Sequence, residues 1–568
     1  NGNLQGGSTI TQQLIRSSML TPEQSIIRKI KEIILAYWTE KIYSKQQILE
    51  MYFNQIPYGG TAWGANAASY VYFGTDVKNL TLAQSAFLAG ITAAPTRYSP
   101  YGADPSLWKS RQKEVLQRMV SLGFITQPEA RQAETQNLKF QSQEIPIHAP
   151  HFVMYVKNLL IQTYGLAMVE HGGLTVRTSL DLPTQNMAEA VVTEEVQKAE
   201  LLKVGNGAAV VTDPKTGDIL AMVGSKSFSD TNGGNVNITT ALRQPGSAIK
   251  VVTYAAALTN GFTSASILDD SPVTYQTAGS PPYKPVNYNG QFFGRMPLRL
   301  ALANSLNIPA VKVLNQIGIP TMVKLGIEMG INNWNETKQY GLSITLGGAE
   351  VSMLDLTTVY ATLANKGTRI DLNPLIKVTD DKEHVLFVKK EPKGEKVLPK
   401  GLAFILSHIL ADNNARTLVF GINSPLVIPN HTVSVKTGTS DNKRDNWTVG
   451  YTDNYVVTAW VGNNDNSPMS QELASGITGA APIWNKIMTQ LLEKHHEQPL
   501  TPPGDIVVKP CFGKTEYFLK GTEDNAYCSY PPTPTPVDSQ STTQPTPTPA
   551  PQQEEKRQND KRPRPFQF

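Results

Sequence analysis

Two stretches decide the reading of this chain: Gln244–Leu258, QPGSAIKVVTYAAAL, and His431–Asp441, HTVSVKTGTSD. In the first, Pro245 and Gly246 precede Ser247, after which apolar residues and alanines recur at helical spacing. The pattern predicts a helix opening at Ser247. Ser247 and Lys250, three apart, then project from one face, and an amine can reach a hydroxyl. In the second, Thr432 to Val435 alternate as in a strand that leads into Lys436-Thr437-Gly438, where a glycine lets substrate backbone come close. Between the two lies Ser305-Leu306-Asn307.

Each piece recurs elsewhere. S-x-x-K is found at Ser106–Lys109, Ser110–Lys113 and Ser440–Lys443, K-T-G recurs at Lys215–Gly217, and Ser440-Asp441-Asn442 imitates the middle piece. Order and flanks choose among them. Lys109, Arg111, Lys113 and Arg118 line a basic, solvated helix, in which a lysine keeps its proton and makes a poor base. Asp213 to Gly217 sits between two apolar runs and reads as a hairpin turn.

Serine at its ordinary pKa is a weak nucleophile, so a base must take its proton, and a lysine does so only when burial or a neighbouring cation lowers its own proton affinity. Lys436 supplies that cation. In this reading Ser247 attacks a carbonyl, Lys250 is the general base and Ser305 relays the proton to the leaving amine. Asn307 orients the substrate amide, and Lys436 with Thr437 holds a substrate carboxylate. The backbone N–H groups of Ser247 and Thr439 stabilise the oxyanion. The ordered set, with Gly438, resembles that of penicillin-binding proteins and class A β-lactamases.

The N-terminal third carries other chemistry. It reads GGSTITQQ from Gly6 to Gln13, RKIKE from Arg28 to Glu32, KQQILEMYFNQIPYGG from Lys45 to Gly60 and APTRYSP from Ala94 to Pro100. These segments, in this order, resemble four of the five motifs of the family 51 peptidoglycan glycosyltransferases, so that the chain as a whole resembles a class A, bifunctional penicillin-binding protein. The resemblance implies a multidomain fold: a mainly α, lysozyme-like glycosyltransferase region, then an α/β serine transpeptidase of β-lactamase-like architecture, an antiparallel sheet with helices and an α subdomain. It implies substrate-binding roles for Ser8, Thr9, Gln12, Gln13, Arg28, Lys29, Glu32, Lys45 and Asn54. Physically, a departing pyrophosphate needs cations and hydroxyl or amide donors, and Arg28 and Glu32, at i and i+4, can pair on one helix face. Glu32 matches the family's second, supporting glutamate. The first motif, with the catalytic glutamate, has no counterpart before Gly6, so the chain is expected to be an N-terminal truncation incompetent in glycosyl transfer.

The partners implied are lipid II and nascent glycan strands, D-Ala-D-Ala stem peptides, β-lactams, the membrane surface and cell-wall assembly proteins. Transpeptidation needs no cofactor or metal; glycosyl transfer admits a divalent cation such as Mg. The implied place is the extracytoplasmic face of a bacterial cell membrane. No run of about 18 apolar residues occurs to span it, and the family's anchor is expected upstream with the first motif. The apolar faces around Ile26–Tyr37 and Ile48–Phe53 suit a lipid interface and a core equally.

Composition sets the outer bounds. With 568 residues, 40% of them hydrophobic, the chain has room for three or four globular domains. A formal net charge of +4 is mild, and no basic and aromatic stripe points to nucleic acid. The two cysteines, Cys511 and Cys528, can close a small loop in an oxidising compartment. They make no zinc set, and His495 and His496 read as a solvated helix end.

The expected boundaries are 1–135 for the glycosyltransferase region, 136–204 for a joining region and 205–495 for the transpeptidase. A small extension with the two cysteines follows at 496–529, and the Pro/Thr-rich stretch 530–568 is expected to be an extended, disordered tail. The alternative functions are a D,D-carboxypeptidase or β-lactamase, in which water takes the acyl group, and a non-catalytic penicillin-binding sensor or scaffold. The fused N-terminal region argues against the first pair, and the intact Lys250, Ser305 and Lys436 against the second.

Overall fold

The structure, a computed structural model, describes residues 8–19, 26–59, 62–95, 97–101, 106–141, 147–231, 233–276, 281–335, 340–471, 476–493 and 497–528. Gly6, Gly7, Gly60, Thr96, His495, His496 and the stretch 530–568 lie outside the described residues. The chain divides into two compact units, Asn1–Ile147 and His148–Phe568.

The first unit is mainly helical: Ile10–Met19, Ile26–Ile42, Lys45–Gln55, Ala65–Phe73, Leu82–Ile91, Leu107–Ser121 and Gln127–Thr135, with one short strand pair, Pro57–Gly59 and Ala62–Trp63. Several helices start where the sequence supplies a reciprocal cap: Ser44 with Gln47, Thr81 with Gln84 and Thr126 with Glu129. Tyr72, Phe87, Trp108 and Phe140 meet edge to face at the centre, Phe87 and Trp108 with ring centroids 5.5 Å apart, and Phe73 stacks on Phe140. The basic helix at Lys109–Arg118 ties its charges off on the surface, Arg111 and Arg118 on Glu114 and Lys113 on Glu134.

The second unit is built on a five-stranded antiparallel sheet in the order Ser434–Thr439, Asp445–Tyr451, Val456–Gly462, Asn206–Thr212, Ile219–Val223. Alternation sends Ala208, Val210, Val449 and Trp460 to one face and Ala209, Val211, Val457 and Val461 to the other. Both faces are covered, which is why the three middle strands are buried throughout. Helices Leu182–Lys198 and Ala480–Leu492 lie over one face, and Lys250–Thr259, Met353–Ala364 and Lys400–Ala411 over the other. Trp447 and Trp460 are paired across neighbouring strands and fully buried. Lys215–Gly217 forms the turn of the Asn206–Val223 hairpin, with Lys215 on Asp453 at the surface.

The stretch 136–204, expected to join the domains, divides between the units. Helix Pro150–Tyr164 buries Phe152, Val156 and Leu160 against Ile219, Met222 and Val378, and strand Thr175–Thr178 pairs with Leu375–Thr379. These elements belong to the second unit because their apolar faces are buried there. The extension is likewise docked. The hairpin Ile506–Cys511 and Lys514–Leu519 is closed by a Cys511–Cys528 disulfide. Glu516 on it receives Arg299 in a two-pronged contact, Nε to Oε2 at 2.7 Å and Nη2 to Oε1 at 2.5 Å.

Candidate active site

Ser247 stands on a 3₁₀ turn, Gly246–Ile249, and the α-helix proper begins at Lys250, later than the sequence pattern predicts. The cause is Gly246, whose φ of +54° is incompatible with a helical start. A 3₁₀ turn eclipses residues three apart, so Ser247 and Lys250 still share a face. Ser247 is partly exposed, whereas Ala248, Ile249 and Lys250 are buried.

The Lys436 strand lies directly against this turn. A Cβ on Gly438 would meet Pro245 O at 2.3 Å and the Ala248 nitrogen at 2.9 Å, and one on Gly246 would meet Thr439 backbone atoms at 2.4–2.6 Å. Gly438 was expected to make room for substrate backbone; the close approach it permits is that of the nucleophile's own turn. Gly347 closes on Gly246 from a third side, its own Cβ position 2.2 Å from the Gly246 nitrogen. Tyr360 donates its hydroxyl to Ala248 O at 2.7 Å and Trp447 its indole N–H to Gln244 O at 2.8 Å. Gly347 and Tyr360 belong to a segment, Ser343–Gly367, that the sequence reading left without a role in the site.

Ser305 joins the two lysines. It lies between helices Leu298–Ala303 and Asn307–Ile317 with φ +60°, a left-handed conformation that costs a non-glycine residue about 1–2 kcal/mol. In return its two oxygens face different partners. Lys250 Nζ donates to Ser305 O at 2.6 Å, and Lys436 Nζ donates to Ser305 Oγ at 2.7 Å. Lys250 also donates to Leu306 O at 3.0 Å and to Asn307 Oδ1 at 2.6 Å. Asn307 Nδ2 donates to Val286 O at 2.8 Å, so its side chain, expected to orient a substrate amide, is engaged at both ends by the protein. Lys436 makes its second contact with Thr437 O at 2.8 Å. Thr437 is buried behind Gly476, and Thr439 Oγ1 accepts from Asn446 Nδ2 at 3.2 Å.

Burial governs the charges. Lys250 is fully enclosed, and desolvation first, the Lys436 charge second, hold its proton affinity well below that of an ordinary lysine, with Asp270 opposing. Desolvation, followed by the Arg416 charge, pushes Lys436 down to about 7. Arg416 and Asp270 carry no sequence motif and escape a reading of the sequence alone.

In the first unit the structure brings together Ser8, Gln13, Arg28, Lys29 and Glu32. Lys29 Nζ donates to Ser8 Oγ at 3.1 Å and to Glu32 Oε1 at 2.5 Å, while Arg28 lies 3.5 Å from Glu32, which is 1% exposed. Gln13 accepts from Tyr52 OH at 3.2 Å. Thr9 Oγ1 and Gln12 Oε1 accept from each other's backbone N–H at 3.2 Å and cap helix Ile10–Met19, which uses their acceptor oxygens and not their donor groups. Lys45 stands exposed at the head of its helix. Asn54 lines an apolar-walled groove of about 850 Å³ with Leu49, Tyr52 and Phe53. Ile30, Ile33, Ile34, Tyr37 and Trp38 are each 50–59% exposed on one helix. Among the described residues no three His, Cys, Asp or Glu side chains converge as a cation site, and Glu32 is already paired with two basic groups.

The transglycosylase family profile matches residues 1–120, and that of the penicillin-binding protein transpeptidase domain matches residues 207–489. Penicillin-binding protein 1A of Aquifex aeolicus is 30% identical, across 93% of this chain and 84% of the relative. Penicillin-binding protein 2D of Bacillus subtilis is 33% identical, across 92% and 77%. The crystal structure of penicillin-binding protein 1A from Haemophilus influenzae superposes with a TM-score of 0.73 at 22% identity, covering 92% of this chain and 94% of that one. Helical unit and sheet unit together define an enzyme of peptidoglycan synthesis with glycosyltransferase and transpeptidase activities. The chain belongs to the class A, bifunctional penicillin-binding proteins.

Proposed function

We propose that Ser247 is the acylated residue of the transpeptidase and that the observation carrying this is Ser305, held between two buried lysines of lowered proton affinity beside the Ser247 turn. A neutral lysine has two N–H groups and a lone pair, so Lys250 without its third proton can keep two of its three contacts and accept from Ser247. The Ser247 oxygen then bonds to the carbonyl carbon of the penultimate D-Ala of a stem peptide. The C–N bond to the last D-Ala breaks, and the proton reaches the departing amine through Lys250 and Ser305. An acceptor amine of a second strand takes the acyl group and releases Ser247. Lys436, in its protonated state, and Thr437 hold the substrate carboxylate, and the N–H groups of Ser247 and Thr439 receive the oxyanion. In the first unit Ser8, Arg28 and Lys29 hold a departing lipid pyrophosphate, with Glu32 fixing the two cations. The exposed Ile30–Trp38 face meets the lipid surface at the extracytoplasmic side of the membrane.

Mass spectrometry of penicillin-treated protein tests the acyl-serine directly. A single adduct is expected on the peptide holding Ser247, lasting many minutes and absent from Ser247→Ala. An adduct on another peptide would sink the assignment, and rapid loss would mark a hydrolase. The lysines give a second expectation. The second-order rate of acylation should rise on the acid side as Lys250 gives up its proton and fall on the basic side, with a midpoint near about 7, as Lys436 does. A profile flat from neutral to strongly alkaline pH would remove Lys436 from carboxylate recognition.

A further inference from the structure

Behind the lysine pair lies a fully buried carboxylate that the mechanism above does not use. Asp270 ends the strand Ile267–Asp270 and is 0% exposed. Among the described residues no lysine or arginine lies within ion-pair distance of it. Its donors are neutral: Asn287 Nδ2 reaches Oδ1 at 2.8 Å and Oδ2 at 2.9 Å, and the Phe293 N–H reaches Oδ2 at 2.8 Å. A charge buried on neutral donors alone is expensive.

Asn287 carries the effect forward. Its Nδ2 is surrounded by acceptors, both Asp270 oxygens and Gln291 O at 2.8 Å, so the amide can face only one way. Its Oδ1 is thereby aimed at the N–H groups of Asn307, at 2.8 Å, and Ile308, at 3.4 Å. Those are orphan donors at the start of helix Asn307–Ile317, whose own N-cap residue, Leu306, offers no side-chain acceptor. Asn287 therefore caps the helix from outside and sets the placement of Asn307, whose Oδ1 holds Lys250 Nζ.

We propose that Asp270, acting through Asn287, is a positioning residue of the transpeptidase: the pair orients Asn307 against Lys250. This rests on the acyl-serine reading above. The charged or titratable groups facing Lys250 are Lys436 from the neighbouring strand, with Arg416 behind it, Asp270 from its own strand, and Tyr254 one turn along the same helix; Ser305 presents polar oxygens. Of these only Asp270 is a carboxylate, and it opposes the lowering of Lys250 by burial and Lys436.

The test is the pH profile of penicillin acylation, followed by mass spectrometry at Ser247 in folded full-length protein. Asp270→Asn should lower the plateau rate roughly 10- to 100-fold, the scale of a small misplacement of a catalytic group, and move the acid limb to lower pH. Asn287→Ala, which leaves the charge, should lower the plateau while its acid limb stays above that of Asp270→Asn. The exchange D270N/N287D restores one carboxylate and one amide and should recover both plateau and limb toward the wild type. A folded Asp270→Asn with wild-type plateau and limb overturns the proposal, as does a fall in rate with an unmoved limb and no recovery in the exchange. Should Asp270→Asn not fold, an unchanged plateau in Asn287→Ala overturns it. Absence of an adduct on Ser247 in the wild type would instead defeat the acyl-serine reading itself.

Discussion

Replacing Lys250 with methionine is expected to slow acylation by penicillin about 10²–10⁴-fold, the usual worth of a positioned general base. Methionine has a similar reach and fills the same enclosed space without a charge, so the effect reads chemistry more than packing. Ser305 O, Leu306 O and Asn307 Oδ1 lose a donor, a loss opposed by relief from burying an ammonium. Because these terms oppose each other, the protein should stay folded, and a thermal melt checks that alongside the rate. Lys250→Arg separates charge from basicity. A guanidinium keeps positive charge but cannot give up its proton in a protein, so it should be as slow as methionine. A rapid Lys250→Arg would mean that Lys250 serves as a fixed cation and that Ser247 is deprotonated by another group.

Gly246→Ala should be nearly as damaging, through geometry alone. At φ +54° any side chain carries a left-handed penalty of about 1–2 kcal/mol. The new methyl would also lie 2.4–2.6 Å from Thr439 O, C and N, all backbone. Overpacking of this kind costs typically about 1–3 kcal/mol more, and the only relief is to push the Lys436 strand off the Ser247 turn. Loss of penicillin labelling together with a lowered melting temperature is expected. Gly513→Ala supplies the control: its φ is +74°, but nothing lies within 4 Å of the added methyl. That variant should lose only the left-handed term and keep full labelling. Equal behaviour of the two would show that the strand and turn are not held together as described.

Ser247, Lys250, Ser305 and Lys436 were legible because a nucleophile, a base and a cation in fixed order leave a mark in one dimension. What the sequence hid is non-local. Nothing in SILDDSP or PVNYNG marks Asp270 or Asn287, since their value lies in a hydrogen bond across 17 residues of chain. The left-handed Ser305 was equally hidden, because serine is not a residue from which φ +60° is expected. Gly438 was legible as a point of close approach, and the fold adds that the nucleophile's own turn is one of its neighbours. The elements within 136–204 were hidden too, because a strand of four residues, Thr175–Thr178, acquires its meaning from a partner near position 377.

The order of strands in the central sheet also dictates an order of events during synthesis. Thr212 pairs with Val456, and Asn206 with Gly462, so the early hairpin keeps that edge uncovered until the strand Val456–Gly462 has left the ribosome. Closing so large a loop adds little equilibrium cost, since that cost grows only logarithmically with length, yet pairings this distant are slow to find. In the interval the nascent chain presents an open strand of small and β-branched residues, NGAAVVT, the sort of edge that recruits other chains. The strand that later carries Trp460 is what retires it, so the residues that finish the catalytic sheet are also the ones that end its vulnerability to aggregation.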